Sequence, residues 1–355
     1  MSVLFTPLQL GAVTIPNRIV MSPLTRRRAG QGRVPTELMA QYYSQRAGAG
    51  LIISEATSIS PQGVGYLDTP GIWSTDQTAG WKQVTGAVHR EGGRIFLQLW
   101  HVGRISDPDL LDGALPVAPS AVPAAGRVRG LRPLRTYSTP RPLTLDEIPG
   151  VVADFKRGAL NAKEAGFDGV DIHAANGYLI DQFLQDSTNR RADNYGGAIE
   201  NRARFLMEIT DAVSEVWGPE RVGVHLRPRG EEHDMGDSNP PALFTYVAEQ
   251  LRQRRVGFLF VRETEGPDSL LRQIRRTFRG PVIANDEMSA ADGRRLLESG
   301  AADAIAFGRD YIATPDLAQR VSSGLPLNEP DASTFYAAPG SDPAVGYVDY
   351  PALVH

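Results

Sequence analysis

Short apolar runs alternate with amphipathic stretches along almost the whole chain. The runs occupy residues 18–22, 51–56, 94–100, 169–172, 221–226, 258–261, 281–284 and 304–307. Each is too short for a helix and apolar at consecutive positions, the pattern of a strand buried on both faces. Between them, apolar residues recur at helical spacing over 36–47, 76–90, 145–165, 200–217, 240–254, 267–278 and 289–298, with a shorter helix from 315. In 200–217, Phe205, Leu206, Ile209, Val213 and Val216 form one stripe. Weak alternation over 8–15 predicts a hairpin. Gly50, Gly93, Gly166, Gly257, Gly280 and Gly300 stand just before strands, where a helix C-terminus takes a left-handed residue. Eight strand–helix units predict an α/β fold, the (β/α)8 TIM barrel, as a single domain over 1–355. The competing doubly wound sheet wants a G-x-G-x-x-G turn after its first strand, and none is present.

One stretch breaks the rhythm. Residues 101–144 are rich in Pro, Gly, Arg and Ser and show little periodicity, which predicts a functional loop or lid after the third strand. Composition narrows the rest. The 355 residues are 41% hydrophobic and 22% charged, with a net charge of -4, so no basic field invites nucleic acid or an anionic membrane. There is no cysteine, which removes disulfides, thiolate metal sites and a cysteine nucleophile. The N-terminal residues lack a basic region followed by an apolar run, and no apolar run reaches membrane-span length. A cytoplasmic location is expected, and the oligomeric state is open between monomer and homodimer.

Active sites of such barrels lie at the C-terminal ends of the strands, which turns the strand pattern into a set of candidates. The fourth run leads into Asp171-Ile-His-Ala-Ala-Asn-Gly-Tyr178. His173, Asn176 and Tyr178 there are either a polar trio facing a small molecule or a helix cap with a packed phenol. Gln98 sits inside a run of Ile, Phe and Leu. A buried amide must be satisfied, by a heterocycle edge at the barrel mouth or by a neighbouring strand. Trp100 follows and is core or substrate wall. Gly308-Arg309 ends the eighth run, where barrels commonly hold phosphate; the alternative is an arginine paired with a helix carboxylate. No carboxylate pair stands at ligand spacing from His173 and Asn176, so no metal is expected. A phosphate-ester isomerase or aldolase would want a catalytic lysine or glutamate at a strand end, and a non-catalytic binding barrel would be colourless.

The motifs converge on one family. The chain resembles the old yellow enzyme family of FMN-dependent ene-reductases over nearly its whole length. The resemblance rests on Leu4-Phe-Thr-Pro-Leu8, Pro16-Asn-Arg18 with Met21-Ser-Pro-Leu-Thr-Arg26, Gly50-Leu-Ile-Ile-Ser-Glu-Ala-Thr57 and Gln98-Leu-Trp-His-Val-Gly-Arg104. It continues through His173-Ala-Ala-Asn-Gly-Tyr-Leu179, Asp193-Asn-Tyr-Gly-Gly197, Ala306-Phe-Gly-Arg309 and Gly346-Tyr-Val-Asp-Tyr-Pro351. Residues 222–230 look most like a bacterial, 2-cyclohexenone-reductase-like branch.

The resemblance implies bound FMN, reduced by NADPH or NADH, that passes hydride to the β-carbon of an activated alkene: an enone, enal, maleimide or nitroalkene. It implies that Pro23, Leu24, Thr25 and Ala56 line the flavin and Gln98 meets its pyrimidine edge. The backbone at Asp286 and Glu287, with Gly308 and Arg309, would hold the phosphate, and Tyr336 would pack near the dimethylbenzene side. His173 and Asn176 would bind the substrate oxygen and Tyr178 would give the proton, with Thr25 and Trp100 also facing substrate. One departure stands out. His225 occupies a place where many members carry an arginine near flavin N1 and O2. A protonated His225, or Arg227 two residues on, is the expected replacement.

Overall fold

The structure, a computed structural model, describes residues 2–128, 130–337 and 340–353; Met1, Arg129, Ala338, Pro339, Val354 and His355 lie outside the described residues. The ends of the expected 1–355 domain and one position of the 101–144 excursion therefore fall outside it.

Eight parallel strands close on themselves: β1 (Ile19–Met21), β2 (Leu51–Ile53), β3 (Ile95–Trp100), β4 (Gly169–Ala174), β5 (Val222–Leu226), β6 (Phe258–Arg262), β7 (Val282–Asn285) and β8 (Ala304–Phe307). Ile305 of β8 lies opposite Ile19 of β1, which closes the barrel. Every strand residue is buried except Arg262 and Asn285, the last residues of β6 and β7. Helices surround the barrel: α1 (Glu37–Ser44), α2 (Thr75–Arg90), α3 (Ile148–Glu164), α4 (Leu179–Leu184), α5 (Ile199–Trp217), α6 (Pro240–Gln253), α7 (Leu271–Phe278), α8 (Ala290–Glu298), α9 (Arg309–Ala313) and α10 (Leu317–Ser323). No helix among the described residues is long and apolar enough to cross a membrane. The excursion folds partly, with Val117–Ala118 pairing in parallel with Arg141–Pro142.

The barrel interior is built in layers that alternate large and small side chains. At the N-terminal end the antiparallel hairpin Leu8–Leu10 and Val13–Ile15 packs beneath Val20, Leu51, Phe96, Phe258 and Ala304. Glycines in β4 and β5 make room for the rings: a Cβ at Gly169 would strike the Phe96 ring, and one at Gly223 would strike Phe258. Higher in the barrel the composition changes. Gln98 lies opposite Asp171, which lies opposite Gly223. One layer on, His173 lies opposite His225, which lies opposite Phe260. An apolar floor therefore gives way to two layers rich in polar groups, which is what a buried polar ligand requires.

Element boundaries differ from the sequence pattern where a side chain captures backbone. The expected strand 51–56 ends at Ile53, because the Glu55 N–H donates to the Tyr43 hydroxyl (2.8 Å) and leaves the ladder. The expected helix 267–278 starts only at Leu271, where the Glu263 carboxylate accepts the backbone N–H groups of Leu270 (3.0 Å) and Leu271 (2.9 Å). Of the six glycines expected to be left-handed, only Gly166 and Gly300 are. Gly257 instead lets the backbone pass close to the Glu220 carbonyl. The C-terminal segment is pinned by buried arginines. Arg26 donates to the carbonyls of Phe335 (2.9 Å) and Gly346 (2.7 Å), and Arg46 to that of Tyr347 (3.4 Å). Tyr347 stacks on Tyr42 at 4.1 Å.

Candidate functional site

A cleft of about 590 Å³ opens at the C-terminal ends of the strands, within the size range of small-molecule and cofactor sites. Pro23 and Leu24 after β1, Asn176 after β4, His225 of β5, Arg262 of β6, Asp286 and Glu287 after β7, and Gly308 with Arg309 after β8 all line it. These nine residues come from six strands, and the barrel alone brings them together.

The buried wall beside the cleft is a connected polar set. The Gln98 amide donates from Nε2 to Asp171 Oδ2 (2.8 Å) and reaches His225 Nδ1 (3.1 Å). An amide nitrogen only donates, so His225 Nδ1 accepts and its proton sits on Nε2. Both Gln98 amide hydrogens are thereby committed within the wall, which leaves its Oε1 as an acceptor. The His225 ring stacks on His173 at 5.0 Å with the planes 6° apart, and packs on Phe260 at 4.3 Å. His225 Nε2, His173 Nδ1 and Asp171 Oδ1 are buried without a partner. Unpaired buried polar atoms are rare and costly, so three in one wall mark a place that expects a hydrogen-bonding ligand.

Burial governs the charges here. Burial, then the nearby Arg262, pushes His173 down to about 3. His225 is held well below the usual histidine range by burial, with His173 and Arg262 adding to it. Both rings are neutral at neutral pH. The expectation that a protonated His225 replaces the missing arginine is therefore corrected: it offers a neutral N–H donor and no charge.

Asp171 moves the other way. Burial raises it to about 7, although the Gln98 hydrogen bond pulls it down. The folded chain holds this proton where the unfolded chain has lost it. That contribution to stability is complete below about pH 4 and is lost as pH rises through about 7. Asp171→Asn is expected to lose less of its urea-unfolding midpoint than the parent between about pH 5 and pH 8. An equal loss in both proteins would show that Asp171 titrates normally.

Tyr178 also packs against His173. Its ring meets His173 edge-on at 5.0 Å and Trp100 edge-on at 5.0 Å. Trp100 is fully buried, and Tyr66 stacks on it at 5.5 Å. The Tyr66 and Tyr178 hydroxyls are 3.1 Å apart. Tyr66, in the segment after β2, had no signal in the sequence beyond being an aromatic in a loop. Ala56 joins the same cluster, and Ala124, Val128, Leu131 and Tyr137 of the excursion pack onto it. The excursion is thus a roof over the Tyr66–Tyr178 pair.

Asn176 adopts φ 58°, followed by Gly177 at 76°, a left-handed turn that asparagine and glycine tolerate best. Its Oδ1 accepts from Arg262 (3.2 Å) and faces Arg227 at 3.4 Å. With the oxygen held by two cations, the amide NH2 is the end turned to other partners. Arg227 is otherwise tied to Glu232 at 2.6 Å.

At the far end of the cleft, Asp286 (φ 131°) and Glu287 (φ 45°) take backbone conformations that glycine adopts more readily. The Asp286 carboxylate bonds the Thr264 hydroxyl (2.9 Å) and lies 3.4 Å from Arg262. Arg309 pairs with Glu287 at 2.5 Å, and both side chains are more than 60% exposed, at 62% and 66%. Thr25 follows directly on Leu24 and is half-buried. Tyr336 is 46% exposed on the C-terminal segment and is not among the residues that line the cleft.

Comparison with known proteins agrees with this geometry. The model of the NADH:flavin oxidoreductase / NADH oxidase family matches residues 3–328. A protein described as putative 12-oxophytodienoate reductase 2, from Oryza sativa subsp. japonica, is 44% identical over 362 residues, spanning 99% of this chain and 94% of its own length. Morphinone reductase, solved in complex with tetrahydroNAD, superposes with a TM-score of 0.94 at 52% identity, covering 99% of this chain and 98% of that one. The old yellow enzyme homologue from Zymomonas mobilis superposes with a TM-score of 0.95 at 46% identity, covering 99% of both chains. A closed eight-stranded barrel, a polar wall aimed into its mouth and matches that span the chain give one conclusion: the chain belongs to the old yellow enzyme family of NAD(P)H-dependent flavin oxidoreductases.

Proposed function

We propose that the chain is an FMN-dependent ene-reductase in which the cleft holds the cofactor and His173, Asn176 and Tyr178 handle the alkene. The observation that carries this reading is the buried wall of Gln98, His225 and His173, with its unpaired polar atoms beside the cleft. A flavin suits that wall. The free Gln98 Oε1 is an acceptor for a pyrimidine N–H, and His225 Nε2–H is a donor for a ring oxygen. Pro23, Leu24 and Ala56 supply apolar contact, and Thr25 a hydroxyl for ring O4. Tyr336 is assigned to the dimethylbenzene side.

The phosphate end is less usual. Gly308 and Arg309 offer a backbone donor and a cation, while Asp286 and Glu287 offer backbone and two carboxylates. The Asp286 carboxylate accepts a hydrogen bond from Thr264 and has Arg262 3.4 Å away. The exposed Arg309–Glu287 pair is worth little and opens at low cost, so Arg309 is free to take a phosphate.

The chemistry supplied by bound FMN is hydride transfer, from NAD(P)H and on to the β-carbon of an activated alkene. The chain's own work is done on the substrate. His173 and Asn176 donate to the carbonyl or nitro oxygen, where negative charge develops. Tyr178 protonates the α-carbon through its hydroxyl. The excursion packed on Tyr66 and Tyr178 shields that side from water. The test is direct: the purified protein is expected to be yellow, to bleach under anaerobic NADPH or NADH, and to recolour when a cyclic enone is added. A colourless protein that takes up no FMN would overturn the reading.

A further inference from the structure

A reduced flavin carries negative charge on its pyrimidine edge, at N1 and O2, and an oxidised one does not. A cation beside that edge favours the reduced form and raises the potential. Both residues packed at that end of the wall are neutral: Gln98 is an amide, and His225 accepts at Nδ1. The charge has to come from higher in the barrel.

Of the described arginines at the ends of β5, β6 and β8, Arg229 is tied to Glu263 at 2.5 Å and Asp268 at 2.6 Å, and partners separate the other three. Arg309 lies at the other end of the cleft beside Gly308 and is paired with Glu287. Arg227 is ion-paired to Glu232 at 2.6 Å, its side chain only 13% exposed, and does not line the cleft. Arg262 lines the cleft together with His225 and Asn176. It sits two residues beyond Phe260 on β6, so it shares the inward face whose ring touches His225 at 4.3 Å. That places it one layer nearer the mouth than His225. Its carboxylate partner, Asp286, is 3.4 Å away, a long contact that leaves the guanidinium's N–H donors only partly engaged. Its other bond, 3.2 Å to Asn176 Oδ1, puts the guanidinium beside the residue that faces substrate.

We infer that Arg262, at the end of β6, supplies the positive charge to the N1/O2 edge of the flavin, in place of a residue on β5. The inference rests on the FMN-binding reading given above. A strand-six arginine reaches the edge from the neighbouring strand, while His225 beneath it keeps a neutral hydrogen bond. Charge and hydrogen bond, which one arginine could supply together, are here divided between two strands.

The measurement compares FMN affinity and two-electron midpoint potential in the parent, Arg262→Gln, Arg262→Lys and Arg227→Gln. Arg262→Gln is expected to weaken reduced FMN roughly tenfold more than oxidised FMN, the scale of one charge-assisted hydrogen bond. That difference appears as a potential lowered by roughly 30 mV. Arg262→Lys keeps the charge and is expected to recover most of the shift. An unchanged potential in Arg262→Gln with FMN bound, or the same shift in Arg227→Gln instead, overturns the inference while leaving FMN binding intact. A parent protein that takes up no FMN overturns the cofactor assignment and the inference with it.

Discussion

Replacing His173 and Asn176 together by alanine is expected to lower alkene reduction by roughly a thousandfold or more while FMN stays bound. Removing one donor from a developing oxyanion costs about a hundred- to a thousandfold in rate, and this variant removes both. His173 is pushed down to about 3 by burial and by Arg262, so in the proposed role it would meet the oxygen as a neutral N–H at neutral pH. Asn176 is turned by Arg262 and Arg227, which occupy its Oδ1 and leave its NH2 to donate. The flavin is expected to remain because Gln98, His225 and the strand ends after β1 and β8 hold it. Alanine at the left-handed position 176 adds local strain of about 1–2 kcal/mol, which a urea titration will register separately from catalysis. The readouts are the flavin-to-protein absorbance ratio and NAD(P)H consumption with a cyclic enone. Normal turnover would remove both residues from the reaction.

Tyr178→Phe is the second large effect. A positioned general acid contributes about a hundred- to ten-thousandfold, so the alkene-dependent half of the cycle is expected to slow by roughly a hundredfold or more, with the nicotinamide-dependent half unchanged. Phenylalanine keeps the edge-on contacts with Trp100 and His173, both at 5.0 Å, and loses only the hydroxyl. Stopped-flow measurement of the two half-reactions separates them. If the alkene half keeps its rate, the proton comes from elsewhere. The Tyr66 hydroxyl, 3.1 Å from that of Tyr178, is the first place to look, and Tyr66→Phe in the same background identifies it.

The barrel was legible because its signal is local. A strand buried on both faces must be apolar at consecutive positions, and each of the eight runs is. The order of the strand ends then placed His173, Asn176, His225 and Arg309 at one mouth before any contact was known. Arg309 shows where such reasoning stops. The sequence left it between a phosphate clamp and a partner for a helix carboxylate; it is bonded to Glu287, just after β7 and ahead of α8, and the exposed pair leaves the first role open. Tyr66 escaped notice, and Arg262, a candidate only as the end of the sixth strand, received no role, for a similar reason. An aromatic in a loop and an arginine closing an apolar run look like a surface residue and a strand boundary until Tyr178, His225 and Asn176 are brought beside them.

By itself the sequence determined that the chain is a (β/α)8 barrel, because periodicity and strand order are properties of neighbours along the chain, and its motifs carried the resemblance to the flavin oxidoreductases. Only the tertiary structure decided the charges. Burial makes His225 neutral and raises Asp171, and the register of β5 against β6 sets Arg262 one layer above His225. Protonation depends on solvent exclusion and on charges from distant strands, and neither exists until the barrel has closed.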